Sequence, residues 1–383
     1  MSCAVYDLAL GEVDTIVSRE FPKGIKKIYF QNVLLEHLDH SILGEMANVV
    51  DIIDINKAKA LTWISVPNTY RSFSIVTSAL KRIDLEPNSS LILLRISSCN
   101  LDAMPITIQQ AAQLYLLAIS GCRLQVLDLA SVCTNSYLRS LDLSHNKIKY
   151  IVNTSTRSCD VYNSLSALVL TRNMIKTVNL ELFNVFVNLS SLYLQNNQIR
   201  SVSGDLAHNS LINLQMYGNE LEHLDICSWN VPSLEKIMLE RNRLTMLPEC
   251  INNLTSVQIL SLGSNLLPTS FTIDSVAGMD SLRLLGLSNN RLTSVMLNSV
   301  WFPKSLQYLD ISYNNLTSLD LSFIPMPLLR VSVSHNCISC FDVNGTSPKV
   351  TQLSMARNPI DCSWRTAEMR EHVQCLRTSA KVC

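Results

Sequence analysis

Three residues in one short run carry the letters of a hydrolase triad: Asp142, Ser144 and His145, in LDLSHN. A nucleophilic serine needs a base to take its proton, a carboxylate to orient that base, and donors for the oxyanion. Asp142 and Ser144 are two residues apart, so on extended backbone they share one face and build no pocket for a substrate. Cys337-x-x-Cys340 has zinc-like spacing, but a structural zinc takes four ligands and the adjacent sequence adds only Cys362. The chain contains no phosphate-binding glycine loop, dinucleotide fingerprint or H-E-x-x-H. These counts argue against an enzyme, a metal site and a cofactor. They leave recognition as the chemistry to explain.

The residues sit on elements that recur. Leu138 opens LRSLDLSHNKI, Leu165 LSALVLTRNMI, Leu189 LSSLYLQNNQI, Leu234 LEKIMLERNRL, Leu282 LRLLGLSNNRL and Leu306 LQYLDISYNNL. Further starts fall at Ile25, Val50, Tyr70, Leu91, Leu114, Leu211, Val257, Leu328 and Val350, with a mean period of about 23 residues. The pattern L-x-x-L-x-L-x-x-N-x-L is that of leucine-rich repeats. It implies an α/β solenoid, a leucine-rich-repeat horseshoe of about 15 repeats with a concave parallel β-sheet. Residues 1–24 are expected to form an N-terminal cap, 25–361 the array and 362–383 a cysteine-containing C-terminal cap. In the cap Trp364, Met369 and Val373 suggest the apolar face of a helix.

The ninth position of the motif is Asn from Asn146 through Asn173, Asn197, Asn219, Asn242, Asn265, Asn290, Asn314 and Asn336 to Asn358. A buried amide side chain both donates and accepts, so this column should bond the backbones of adjacent turns. Upstream the slot holds Val33, Ala58, Ser78, Cys99 and Cys122. Cys99 and Cys122 read there as buried packing thiols.

With 31 Lys+Arg against 31 Asp+Glu, the chain has no cationic surplus for nucleic acid or anionic membrane. No apolar run is long enough to span a bilayer. Twelve cysteines and six glycosylation sequons point instead to an oxidising compartment. Cys227 and Cys250 share the seventeenth position of adjacent repeats, and Cys133 and Cys159 nearly share one. Strand spacing of ~4.8 Å makes both pairs compatible with disulfides. Cys340 and Cys362 also match, in competition with Cys362 pairing to Cys375 or Cys383. The sequons lie at Asn88, Asn153, Asn188, Asn253, Asn315 and Asn344, all outside the ladder. Met1 to Gly11 does not read as a signal peptide, so secretion requires a beginning that this sequence lacks.

The terminal motifs Asn358-Pro359-Ile360-Asp361-Cys362 and Cys3-x-x-Tyr6-Asp7 resemble those of extracellular leucine-rich-repeat proteins, most narrowly the secreted leucine-rich-repeat immune proteins of mosquitoes. That resemblance implies a circulating innate-immune factor. Its partners would be a complement-like thioester protein or another leucine-rich-repeat protein. The alternatives are a receptor or adhesion ectodomain and an intracellular repeat scaffold. Outward positions of the motif are the third, fifth, seventh and eighth. In the middle of the array they present Asp142, His145, Arg172, Tyr193, Gln195, Gln215, Tyr217, Met238, Glu240 and Arg241, a candidate partner-binding face rich in hot-spot residue types. Tyr308, Asp310, Tyr313, His335 and Arg357 form a second cluster.

Overall fold

The structure is a computed structural model and describes residues 2–8, 24–47 and 49–378. It falls into two compact units, Met1–Asn197 and Gln198–Cys383. Of the expected N-terminal cap, only residues 2–8 and 24 are described.

In the first unit nine parallel strands follow one another in chain order. They are Ser2–Tyr6, Lys27–Gln31, Ile52–Ala58, Ser72–Ser78, Leu93–Ser97, Leu116–Ser120, Ser140–Asp142, Ala167–Val169 and Ser191–Tyr193. Alternation decides which face is inside. Leu117, Leu141, Leu168 and Leu192 stand opposite one another and are wholly buried. Each is covered by its neighbours in the stack, since one turn alone cannot hide its leucines. The return segments vary: parallel strands His37–Leu38, Trp63–Val66 and Arg82–Leu85, helix His40–Ala47, then 3-10 turns such as Leu180–Phe183.

The second unit repeats the scheme with seven parallel strands, Asn213–Gln215, Lys236–Met238, Ile259–Ser261, Leu284–Gly286, Tyr308–Asp310, Leu329–Ser332 and Val350–Ser354. Leu214, Ile237, Leu260, Leu285, Leu309, Val331 and Leu353 form its buried column. Each of the fifteen starts leads into or opens one of the strands of the two units. One start differs in detail. Leu328 is exposed with φ 64°, and Leu329 takes the buried place, at a register shift between Leu329 and Arg330.

The asparagines are bonded as a ladder. Asn242 donates through Nδ2 to the carbonyls of Met216 and Leu239, both at 3.0 Å, and its Oδ1 accepts the Leu221 N–H at 3.1 Å. The eighth position has a property that the string does not announce. In every repeat, from Asn32 and Lys57 to His335 and Arg357, it lies in the left-handed backbone region, with φ between 53° and 67°. Glycine occupies it only at Gly121 and Gly218. The conformation lets its N–H reach the next turn: the His145 amide donates to Thr171 O at 2.8 Å, and that of Arg241 to Gly263 O at 2.9 Å.

The C-terminal cap differs from expectation. Its helix, Ala367–Glu371, has five residues and buries none of them. Met369 is exposed, while Trp364 is buried ahead of the helix, bridged to Leu353 and covered by Arg370. A helix of little more than one turn has no length for an apolar stripe, so the tryptophan seals the last strand from an extended segment. Ile360–Asp361 pairs antiparallel with Leu376–Arg377 beside it.

Candidate functional site

The triad letters do not assemble. Asp142 Oδ1 accepts the Ser144 backbone N–H at 2.9 Å, a local turn bond that uses the carboxylate for structure. Asp310 does the same with the Ser312 N–H and hydroxyl, at 3.0 and 2.6 Å. His145 is exposed.

The cysteines join adjacent turns. Cys133 is bonded to Cys159 and Cys227 to Cys250, with Cα separations of 4.6 and 4.9 Å. Cys99 and Cys122 are also joined, at a Cα separation of 4.6 Å. Their reading as separate thiols is corrected: one slot in successive turns places the two sulfurs face to face. Cys362 pairs with Cys375 rather than Cys340, because the chain turns back within the cap. Cys340 is exposed with a free thiol, and Cys337 is disulfide-bonded. Cys383 lies outside the described residues. Asp225, Cys227 and Glu249 also cluster, but the Cys227 sulfur is committed to its disulfide. Non-reducing peptide mapping should recover Cys227 linked to Cys250 and Cys99 linked to Cys122. Recovery of all four as free thiols in native protein would contradict the stacking register and an oxidising compartment alike.

Five sequon asparagines, Asn88, Asn188, Asn253, Asn315 and Asn344, are exposed. Asn153 is half-buried and donates from Nδ2 to the Tyr162 hydroxyl at 2.8 Å.

The outward sheet positions are distributed between the units. In the first, Arg172 and His145 are exposed and Tyr193 is half-buried. Gln195 is only 8 % exposed, less than Tyr217 and Glu240, which hold the same seventh position in later repeats and are half-buried. In the second unit Gln215, Tyr217, Met238 and Glu240 are half-buried and Arg241 is exposed. Four of these, Tyr217, Met238, Glu240 and Arg241, line a cavity of about 520 Å³. The remaining lining is Ser261, Gly263, Ser264 and Ser288, side chains too small to fill the space above the sheet. A Cβ on Gly263 would meet the Ser288 hydroxyl at 3.0 Å. The sequence showed the large residues of this site. The small ones were missed because they carry no chemistry, although the signal was present as Ser261, Gly263, Ser264, Gly286 and Ser288 in successive outward slots.

The second cluster is built differently. The Tyr313 and His335 rings stack at 4.0 Å and 11°. Burial first, then the nearby Asp310 carboxylate, push the Tyr308 phenol up against a hydrogen bond with Ser332 that lowers it, so Tyr308 remains a neutral hydroxyl.

Comparison with known proteins agrees with this architecture. Family descriptions of the leucine rich repeat match residues 232–292 and, separately, 137–159 and 305–326. No curated protein is a significant match in sequence. Among solved structures, a leucine-rich-repeat protein of Leptospira interrogans aligns with TM-score 0.62 and 18% identity over 94% of this chain and 84% of its own. The mosquito LRIM1/APL1C complex aligns with TM-score 0.59 and 17% identity over 93% of this chain. Our chain spans 61% of that relative's length. The leucine-rich-repeat domain of mosquito APL1 aligns with TM-score 0.60 and 17% identity, covering 90% of this chain and 91% of its own. Likeness at this identity establishes the fold, a leucine-rich-repeat solenoid. Among the described residues no helix is long and apolar enough to cross a membrane.

Proposed function

We propose that this leucine-rich-repeat solenoid is a secreted protein-binding module of innate immunity. Its partner is a complement-like thioester protein or another leucine-rich-repeat protein. The observation that carries the reading is the cavity on the outward sheet face of the second unit. There a tyrosine, a methionine and two opposite charges surround a floor of serines and glycine. Such a face offers rigid aromatic contact, a charged rim and a recess for a partner's side chain, the anatomy of a binding hot spot. Register-spaced disulfides support an oxidising compartment. The LRIM1/APL1C structure is itself a complex, which supports a repeat protein as one class of partner.

The test is capture of haemolymph proteins by wild type and by a variant with Tyr217 and Arg241 changed to Ala. Circular dichroism serves as the folding control. Both side chains point away from the buried leucines, so the variant should fold and bind its partner at least about tenfold more weakly. Equal capture by the folded variant would move the interface off this face.

A further inference from the structure

We infer that the cavity receives a single basic side chain, arginine or lysine, from a partner segment that carries an acidic residue beside it. The inference rests on the reading of this face as the docking surface, and it specifies the chemistry of what docks.

The argument begins with Glu240. Its Oε2 is closed off from solvent and accepts no hydrogen bond among the described residues. A buried acceptor without a donor is costly, and because this oxygen is closed off, it meets a donor in the cavity only when the Glu240 side chain turns outward, a turn that the cost of the orphaned oxygen favours. Glu220, in the same unit, shows the ordinary solution. Arg200 and Arg243 reach its Oε2 at 3.0 and 3.1 Å. Glu240 has no such partner, although Arg241 follows it directly; among the described residues Arg241 forms no ion pair either. The site therefore holds one uncommitted charge of each sign on the wall of one cavity.

A guanidinium or ammonium entering the cavity would donate to the Glu240 carboxylate. The Tyr217 ring offers a face on which a cation is favoured, and the hydroxyls of Ser261 and Ser288 are further acceptors. Arg241 disfavours a second positive charge at the rim and favours an adjacent carboxylate. The volume of about 520 Å³ accommodates a long basic side chain with its stem.

Two peptides test this with the full chain: acetyl-Gly-Arg-Glu-Gly-amide, and the same peptide with citrulline for arginine, which keeps the shape and removes the charge. Calorimetric titration at low salt should give saturable binding of the arginine peptide and at least about tenfold weaker binding of the citrulline peptide. Glu240→Gln should weaken the arginine peptide by at least about tenfold and bring the two peptides within about twofold of each other. Ser288→Phe, which fills the cavity, should abolish arginine-peptide binding while leaving the carboxylate in place. No saturable binding to wild type up to about 10 mM, an unchanged preference in Glu240→Gln, or full binding by Ser288→Phe would each overturn the inference. Partner capture separates its failure from that of the docking reading. If Tyr217→Ala loses the protein partner and Glu240→Gln keeps it, the face docks but not through a basic residue. If neither variant loses the partner, the docking reading itself falls.

Discussion

Replacing Phe186 by Ala is expected to lower the unfolding free energy by about 3–5 kcal/mol. Phe186 is wholly buried behind the sheet of the first unit, just after the 3-10 turn Leu180–Phe183. Its ring meets that of Tyr162 edge-on, with centroids 5.4 Å apart and planes at 89°. Truncation removes the transfer free energy of the ring, loses an aromatic pair, and leaves a void that a stack held by backbone bonds on both sides cannot collapse to fill. Val187, the next residue, is 58 % exposed. Its replacement by Ala should stay within about 0.5 kcal/mol. Urea unfolding followed by circular dichroism measures both. A cost below about 1 kcal/mol for Phe186→Ala would mean that these return segments do not form a close-packed second wall.

The second large effect belongs to the asparagine column. Asn314 makes more bonds than most of its kind. Nδ2 donates to Leu287 O and Ile311 O at 3.0 Å and to Ser312 O at 3.1 Å, while Oδ1 accepts the N–H groups of Leu292 at 3.1 Å and Asn290 at 3.2 Å. The carbonyls survive its loss, because Asn290 also donates to Leu287 O and Asn336 to Ile311 O. The two amides do not. Asn314→Ala should therefore cost about 2–3 kcal/mol, the penalty for stranding buried donors. Lys236→Ala, exposed on the sheet face, should change stability by no more than about 0.5 kcal/mol. Thermal unfolding compares them. Equal effects from the two variants would rule out the ladder as a source of stability.

The stack was legible because its physics is periodic. Leucines at the first, fourth and sixth positions and asparagine at the ninth carry burial and backbone bonding in the residue letters themselves. The less regular starts at Val50 and Tyr70 were readable for the same reason, and both lead into strands. What was hidden depended on geometry that letters do not encode. Cys99 and Cys122 fill a packing slot, yet the one-repeat translation that buries them also brings them to bonding distance. Gln195 looks outward in an alternating pattern and is nevertheless buried, although Tyr217 and Glu240 at the same position of later repeats are half-buried. The cap tryptophan read as helical because of its charged neighbours, whereas its partner is the edge of the last strand. The candidate site was half visible: its tyrosine and charges stand out, and its serines and glycine gain meaning only from the empty space they leave.

The left-handed column has a consequence for evolution and engineering. An L-residue there costs roughly 1–2 kcal/mol in backbone energy relative to a right-handed conformation, and glycine escapes that penalty at some entropic cost. The chain nevertheless holds His145, Arg172, Arg241, Tyr313, His335 and Arg357 in this conformation. Selection for robustness alone would drift the column toward glycine or asparagine, flattening the rim of the sheet into an inert edge. Each large side chain there accepts backbone strain in exchange for a projecting group, so a redesign that maximises melting temperature would strip these projecting groups from the sheet rim first.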